Sequence, residues 1–343
     1  MLKKLNKFNK TFIIAEAGSN HLRSFSRVKK LINIASKSGA DAIKFQSFTA
    51  DEIATKNKKY NIIKNKFKKF SRDLHSFYKK YELPLEYNKK IISYCKKKRI
   101  IFLTSIFGMH SYNFLKKKLR VIKIASFESN YFELLNEIIK DKKHLIISTG
   151  CSNEKQILKL KNFFNKKKYK NFSILHCGSS YPLPFKEANL KFILKLKKIF
   201  PKNLVGYSDH TLGISSSIAA VSLGAKIVEK HFTINKRDGA PDSSFSIDAK
   251  QLTQMVKSIR EVEQSLGQEK KLISKNIYKM KSGMRSYYAN KDFMAGTKIK
   301  PGMFLGLRPH VKNSVPVDKF FNFIDKKLKN NIKSGEVLLN KHL

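Results

Sequence analysis

Residues 205–211, VGYSDHT, and 227–233, IVEKHFT, each run from an apolar segment into acidic and hydroxyl groups and a histidine, His210 in the first and His231 in the second. An apolar run that ends on chemistry rather than on a turn residue is what a strand shows where it opens into a functional loop. Six further runs share the near-continuous hydrophobicity of parallel strands covered by helices. They are 12–16 (FIIAE), 41–46 (DAIKFQ), 100–104 (IIFLT), 121–125 (VIKIA), 144–148 (HLIIS) and 172–176 (FSILH), and the two quoted stretches place the last strands at 203–207 and 226–230. Amphipathic segments lie between them. Phe25, Val28, Leu31, Ile32 and Ala35 follow helical spacing, with Ser24 as a cap and Gly39 as a stop, and Leu252, Met255, Val256 and Ile259 lead to Gly267 in the same way. Eight strand–helix units within residues 1–267 fit a (β/α)8 TIM barrel, whose typical size is about 250 residues. A doubly wound open sheet is the alternative, without a GxGxxG or GxxxxGK[ST] motif to support it.

The character changes after Gly267. Residues 268–282 are polar and basic and read as a linker; residues 283–343 hold short runs punctuated by Gly and Pro and read as a small β-rich domain. Hydrophobic residues make up 41% of the chain and charged ones 28%, a globular balance, and no apolar stretch approaches the roughly 20 residues of a membrane helix. The basic start is followed by an apolar run short of the roughly 7–15 residues of a signal peptide, so a cytoplasmic protein with no membrane partner is expected. Cys95, Cys151 and Cys177 form neither a CxxC pair nor an even framework. The formal charge of +46 raises nucleic acid as a partner, but the lysines are dispersed over every segment, as on solvated helix faces. Such a field still draws in small anions.

In a closed barrel the C-terminal ends of the strands share one mouth. Reading those ends collects Glu16, Asn20 and His21, then Lys44 and Gln46, Thr104 and Ser105, Lys123, Ser126 and Glu128, Ser148 and Thr149, His176, Ser179, Ser180 and Tyr181, Ser208, Asp209 and His210, and Glu229, Lys230 and His231. Lys44 and Lys123 lie inside apolar strands, where an unpaired ammonium is costly, so each needs an anion. Lysines with hydroxyl donors suit a phosphate or carboxylate. His210 and His231 come from neighbouring strands, and closure brings Glu16 beside them; two imidazoles and a carboxylate suit a divalent transition metal with open positions.

The segments IIAEAGSNH, GADAIKFQSF, KIASFE, ISTG, LHCGSSYPLP, GYSDHTLG and EKHFT…GAPDSSFS, in this order, resemble the sialic acid synthase family, which includes the pseudaminic and legionaminic acid synthases. The resemblance spans nearly the whole chain. It implies condensation of phosphoenolpyruvate with an N-acetylated amino sugar to a nine-carbon 2-keto acid. It also implies a barrel followed by an antifreeze-like (SAF) domain, to which MRSYYANKDFMAGTKIKPGMFLGLRP is similar. By the same resemblance Lys44, Ser105, Lys123, Ser126, Ser148, Ser179 and Ser208 bind phosphoenolpyruvate, and His210 and His231 bind the metal, usually Mn²⁺, with Glu16 close to it. Glu128, Tyr181 and Asp242 fall where the sugar binds, and Arg308 matches an arginine that reaches the partner's site in a domain-swapped homodimer.

Three stretches depart from the family pattern: NHLRS after strand one, Gly178 and Ser179 on the phosphate side, and HVKNS after Arg308 and Pro309. The implied reaction is attack of the enol C3 on the open-chain aldehyde, addition of water at C2 and loss of phosphate by C–O cleavage, with Glu128, alongside Glu16, the candidate for proton transfer. N-acetylmannosamine and the 2,4-diacetamido hexoses are both open as substrates. Outside this class stand a catalytically silent sugar- or polyanion-binding barrel and a related condensation of the 3-deoxy-octulosonate phosphate type, whose barrels lack the terminal arginine domain.

Overall fold

The apolar runs form strands, and the ladders between them close. In the computed structural model, described for residues 10–63, 66–270, 280 and 283–343, eight parallel strands make one barrel in sequence order. They are β1 (Phe12–Glu16), β2 (Ala42–Ser47), β3 (Ile101–Ile106), β4 (Val121–Ile124), β5 (His144–Ser148), β6 (Phe172–Cys177), β7 (Leu204–Asp209) and β8 (Ile227–His231). Closure is direct: β1 lies beside β8 with Glu16 opposite His231, and beside β2 with Glu16 opposite Lys44. The open-sheet alternative is therefore ruled out. Several strands run one or two residues past the apolar run that announced them, because the ladder continues into polar residues, as in Cys177 opposite Ser208 and Asp209 opposite Lys230.

Strand parity sorts the side chains into two layers. One apolar cluster contains only strand residues, among them Phe12, Ile14, Ala42, Leu103, Val121, Ile146, Leu175 and Ile227, and fills the barrel interior. Each fully buried Leu or Ile there contributes about 1.5–3 kcal/mol. The alternate strand residues, such as Ile13, Ile43, Ile122 and Ile147, pack outward in the two clusters formed with the surrounding helices. Helix Phe25–Lys37 starts on Ser24, whose side chain accepts from Arg27 N, and buries Val28, Leu31, Ile32 and Ala35. Helix Ala249–Ser265 starts with a capping box from Asp248 and buries Leu252, Met255, Val256 and Ile259. Between β2 and helix Tyr87–Lys97 the chain adds short helices at Ala50–Ile53 and Leu74–Tyr81, too brief for hydrophobic periodicity to announce.

The chain divides into two units, one ending at Gly267 and the other beginning at Gln268. Much of the expected linker, 271–279 and 281–282, lies outside the described residues. The second unit has its own core, including Ala289, Phe293, Ile299, Phe304, Val315 and Phe320. Its regular β-structure among the described residues is one antiparallel pair, Ser286–Ala289 with Phe304–Leu307, supplemented by isolated bridges such as Phe293 to Ile332 and Ser314 to Leu339.

Candidate active site

Two residues beyond the apolar interior layer, every strand turns polar. Ile14 is followed by Glu16, Ala42 by Lys44, Leu103 by Ser105, Val121 by Lys123, Ile146 by Ser148, Leu175 by Cys177, Gly206 by Ser208 and Ile227 by Glu229. Because side chains two apart on a strand share a face, these groups form a ring over an apolar floor. Lys44 Nζ lies 2.9 Å from Glu16 Oε2 and 3.8 Å from Glu229 Oε1, and it donates to Ser105 Oγ at 2.9 Å. Lys123 Nζ donates to Ser148 Oγ at 2.7 Å and to Ile124 O at 3.0 Å, and stands 3.9 Å from Glu229 Oε1. Ser208 Oγ donates to the same Glu229 oxygen at 3.1 Å. The anions that the buried lysines require are thus supplied by the protein itself.

The charges are unequal in their setting. Burial would lower the pKa of Lys44, but the Glu16 and Glu229 carboxylates hold it above the ordinary lysine value. Lys123 is pulled down by burial, with Glu229 opposing. Burial pushes Glu16 up to about 7 against the attraction of Lys44. Glu229 resists its burial because Lys123 and Lys44 favour its charged form, and its pKa falls below the usual carboxylate value. Glu128, in a 3-10 turn after β4, is pushed up to about 7 by burial, and its Oε2 has no hydrogen-bond partner among the described residues.

His210 and His231 meet at the mouth, with ring centroids 5.4 Å apart. His210 Nδ1 lies 2.7 Å from Gly178 O and 3.7 Å from Cys177 Sγ. Burial, reinforced by the positive neighbours His210 and Lys44, pulls the pKa of His231 far down, so it is neutral at pH 7. Its Nδ1 has no hydrogen-bond partner among the described residues, and the nearest carboxylate oxygen, Asp242 Oδ2, is 3.9 Å away. Tyr181 packs against His210 with centroids 4.3 Å apart and planes at 42°, and Phe245 packs 5.0 Å from His231 and 6.5 Å from His210. Asp242 is fixed by Ser19 N at 2.7 Å, a contact made where Gly18 is left-handed and a Cβ would collide with Asp242 Oδ2. Two buried imidazoles 5.4 Å apart suit a divalent metal by the chemistry of their donors; among the described residues no three His, Cys, Asp or Glu side chains form a complete cage, so other ligands would finish the shell.

Around Gly150 and Cys177, Ser126 Oγ accepts from Gly150 N at 3.1 Å and Ser179 Oγ accepts from Cys151 Sγ at 3.1 Å. Arg308 lies exposed in the second unit. Four residues that strand ends alone had assigned to the mouth point the other way. Thr104 bonds Ser47 Oγ at 2.7 Å, which in turn reaches Asn88 of the helix layer. His176 reaches Ala188 O at 2.8 Å. Asp209 accepts from Ser217 Oγ at 2.6 Å and pairs with Lys230 at 3.0 Å, tying β7 and β8 to helix Ser215–Ser222. Glu229 lies between the two lysines, 3.8 Å from Lys44 Nζ and 3.9 Å from Lys123 Nζ. Cys177 and Phe245 escaped the sequence reading, although Cys177 stands two residues beyond Leu175 and Phe245 lies within GAPDSSFS.

The profile of the NeuB family matches residues 31–271. An N,N'-diacetyllegionaminic acid synthase of Campylobacter jejuni is 38% identical over 96% of this chain and 99% of its own length. A pseudaminic acid synthase of the same species is 34% identical over 97% of this chain and 96% of its own. The crystal structure of an N-acetylneuraminic acid synthetase from Leptospira borgpetersenii superposes with a TM-score of 0.70 at 30% identity, covering 79% of this chain and 90% of that one.

Proposed function

Because the chain belongs to the NeuB family, we propose that it is a synthase that condenses phosphoenolpyruvate with an N-acetylated amino sugar to a nine-carbon 2-keto sugar acid. The observation that carries this reading is the buried ring holding Lys44 and Lys123 beside the His210 and His231 pair. The legionaminic and pseudaminic relatives, similar over nearly the whole chain, support a 2,4-diacetamido hexose as the sugar over N-acetylmannosamine.

In this reading Lys44 and Lys123, with Ser105, Ser148 and Ser208, receive the anionic groups of phosphoenolpyruvate, and Ser126 and Ser179 flank the phosphate. Fixing the enol C3 toward the sugar aldehyde supplies orientation, the term a bimolecular condensation most needs. His210 and His231 would hold a divalent metal such as Mn²⁺, which when bound supplies Lewis acidity toward the aldehyde oxygen. Tyr181, Asp242 and Glu128 face the sugar. C3 bonds to the aldehyde carbon, water adds at C2, and the C–O bond to phosphate breaks. Glu128, with a pKa near 7, is suited to pass the proton between water and the new hydroxyl, with Glu16 as a second reservoir. The terminal unit is proposed to be the SAF domain, and the assembly a domain-swapped homodimer in which Arg308 of one copy serves the barrel of the other.

The test is phosphate release from phosphoenolpyruvate by metal-stripped protein, with Mn²⁺ restored and a panel of N-acylated hexosamines supplied. Release with a 2,4-diacetamido hexose alone is the expected result; release with N-acetylmannosamine alone moves the enzyme to the neuraminate branch. No release with any sugar, while the protein binds phosphoenolpyruvate and Mn²⁺, would support the silent sugar-binding barrel instead.

A further inference from the structure

A metal-binding histidine ordinarily has its ring fixed by a hydrogen bond from the nitrogen that does not ligate. His210 has such a contact, Nδ1 to Gly178 O at 2.7 Å. His231 has none: its Nδ1 is buried without a hydrogen-bond partner among the described residues, and Asp242 Oδ2 at 3.9 Å is beyond hydrogen-bond range. Something else must set the ring plane. Phe245, 1% exposed, meets His231 with centroids 5.0 Å apart and planes at 63°, and meets His210 at 6.5 Å and 85°. Both are edge-to-face arrangements, which aromatic rings favour. Phe245 is itself held firmly. Ser246 N and Oγ donate to Asp242 O at 3.2 and 2.7 Å, Asn20 Nδ2 donates to Ser246 Oγ at 3.0 Å, and Ile247 N returns to His231 O at 2.9 Å.

We infer that Phe245 is a positioning residue of the two-histidine centre, fixing the His231 imidazole, and with it the pair, by ring packing where the usual hydrogen bond is missing. The inference rests on the reading of His210 and His231 as metal ligands. Asp242 is the rival orienting group, since a small rotation of His231 would bring it within reach.

Mn²⁺ binding to the full chain, measured by calorimetry and by electron paramagnetic resonance without substrates, separates these readings. Phe245→Leu keeps the apolar volume and removes the ring; it should weaken Mn²⁺ binding about tenfold, the low end for loss of a group that orients a metal-bound histidine. Phe245→Tyr, which keeps the ring, should stay within about threefold of the parent, and so should Asp242→Asn. Thermal unfolding of the metal-free variants is the control: a purely structural Phe245 would lower the melting temperature and leave the dissociation constant alone. Unchanged Mn²⁺ affinity in folded Phe245→Leu overturns the inference, as does a loss in Asp242→Asn equal to that in Phe245→Leu. If Phe245→Leu does not fold, folded Phe245→Met takes its place: unchanged Mn²⁺ affinity overturns the inference, and a loss of about tenfold upholds it. A parent protein that binds no Mn²⁺ removes the metal reading itself, a result distinguishable from all of these.

Discussion

Glu128 sits where a carboxyl group is expensive to ionise and useful to protonate. Burial pushes its pKa from 4.5 to about 7, with the Lys123 charge working against the shift. A folded-state pKa above the unfolded value means that the group's contribution to stability is complete below the unfolded pKa and is lost as pH rises through about 7. Glu128→Gln removes that pH dependence. The variant should equal the parent in stability near pH 4 and exceed it at pH 8 by on the order of 2 kcal/mol, read from urea unfolding at the two pH values. Its condensation rate should fall 10²-fold or more, and any limb of the parent's rate profile near pH 7 should vanish with it. Retention of that limb in Glu128→Gln would assign the titration to Glu16. Lys44 poses the converse problem. Lys44→Met strands Glu16, which lies 2.9 Å away and fully inside the barrel, and should cost about 3–5 kcal/mol at pH 8. The Lys44 charge lowers the Glu16 pKa, so without it Glu16 titrates above the parent's value of about 7; the loss should shrink between pH 8 and pH 6, and Lys44→Met with Glu16→Gln should recover most of it. A penalty that is the same at both pH values would show that packing, not charge, sets it.

Along each strand, chemistry was legible down to the choice of face, provided parity was used. The runs FIIAE, VIKIA and IVEKH each contain an apolar residue two before the charged one, and that spacing places Glu16, Lys123 and Glu229 over the interior layer. Taking strand ends without parity admitted Thr104, His176, Asp209 and Lys230, which are the outward members of the same strands and lock strands to one another and to helices. What no local pattern could reveal was the partner set. Glu16 meets Lys44 because β1 pairs with β2 and faces His231 across the seam only because β1 closes on β8, and Phe245 reaches the histidines from a loop whose path the sequence does not encode in any period. Closure also explains Gly206. It is the inward residue of β7 below Ser208, and a Cβ there would press on the backbone carbonyl of Ile227 and, at 2.6 Å, on Leu175 Cδ2. Gly206→Ala should therefore cost about 3 kcal/mol or more through backbone displacement in the barrel wall. The chemical-denaturation midpoint checks this, and a change under about 1 kcal/mol would mean that β7 can shift without loss.

Across the molecule the net formal charge is +46, and the two lysines of the ring are already paired with two carboxylates. The excess lies on the surface, where single ion pairs such as Lys195 with Glu154 contribute little to stability. Its consequence belongs to encounter rather than to fold. A field of one sign draws anions toward the barrel over a distance set by the screening length, roughly 10 Å at 0.1 M salt and 30 Å at 0.01 M. Phosphoenolpyruvate is a multivalent anion and the amino sugar carries no net charge, so the two substrates respond differently to the same surface. For the proposed reaction, kcat/KM for phosphoenolpyruvate should fall about tenfold or more between roughly 10 mM and 300 mM salt, while kcat/KM for the sugar at saturating phosphoenolpyruvate should change less than about twofold. The ordered pair of measurements matters, because salt that loosened the ring of Lys44 and Glu16 would depress both. A phosphoenolpyruvate term indifferent to salt would show that the dispersed lysines do not steer the substrate, leaving its capture to the buried Lys44 and Lys123 alone.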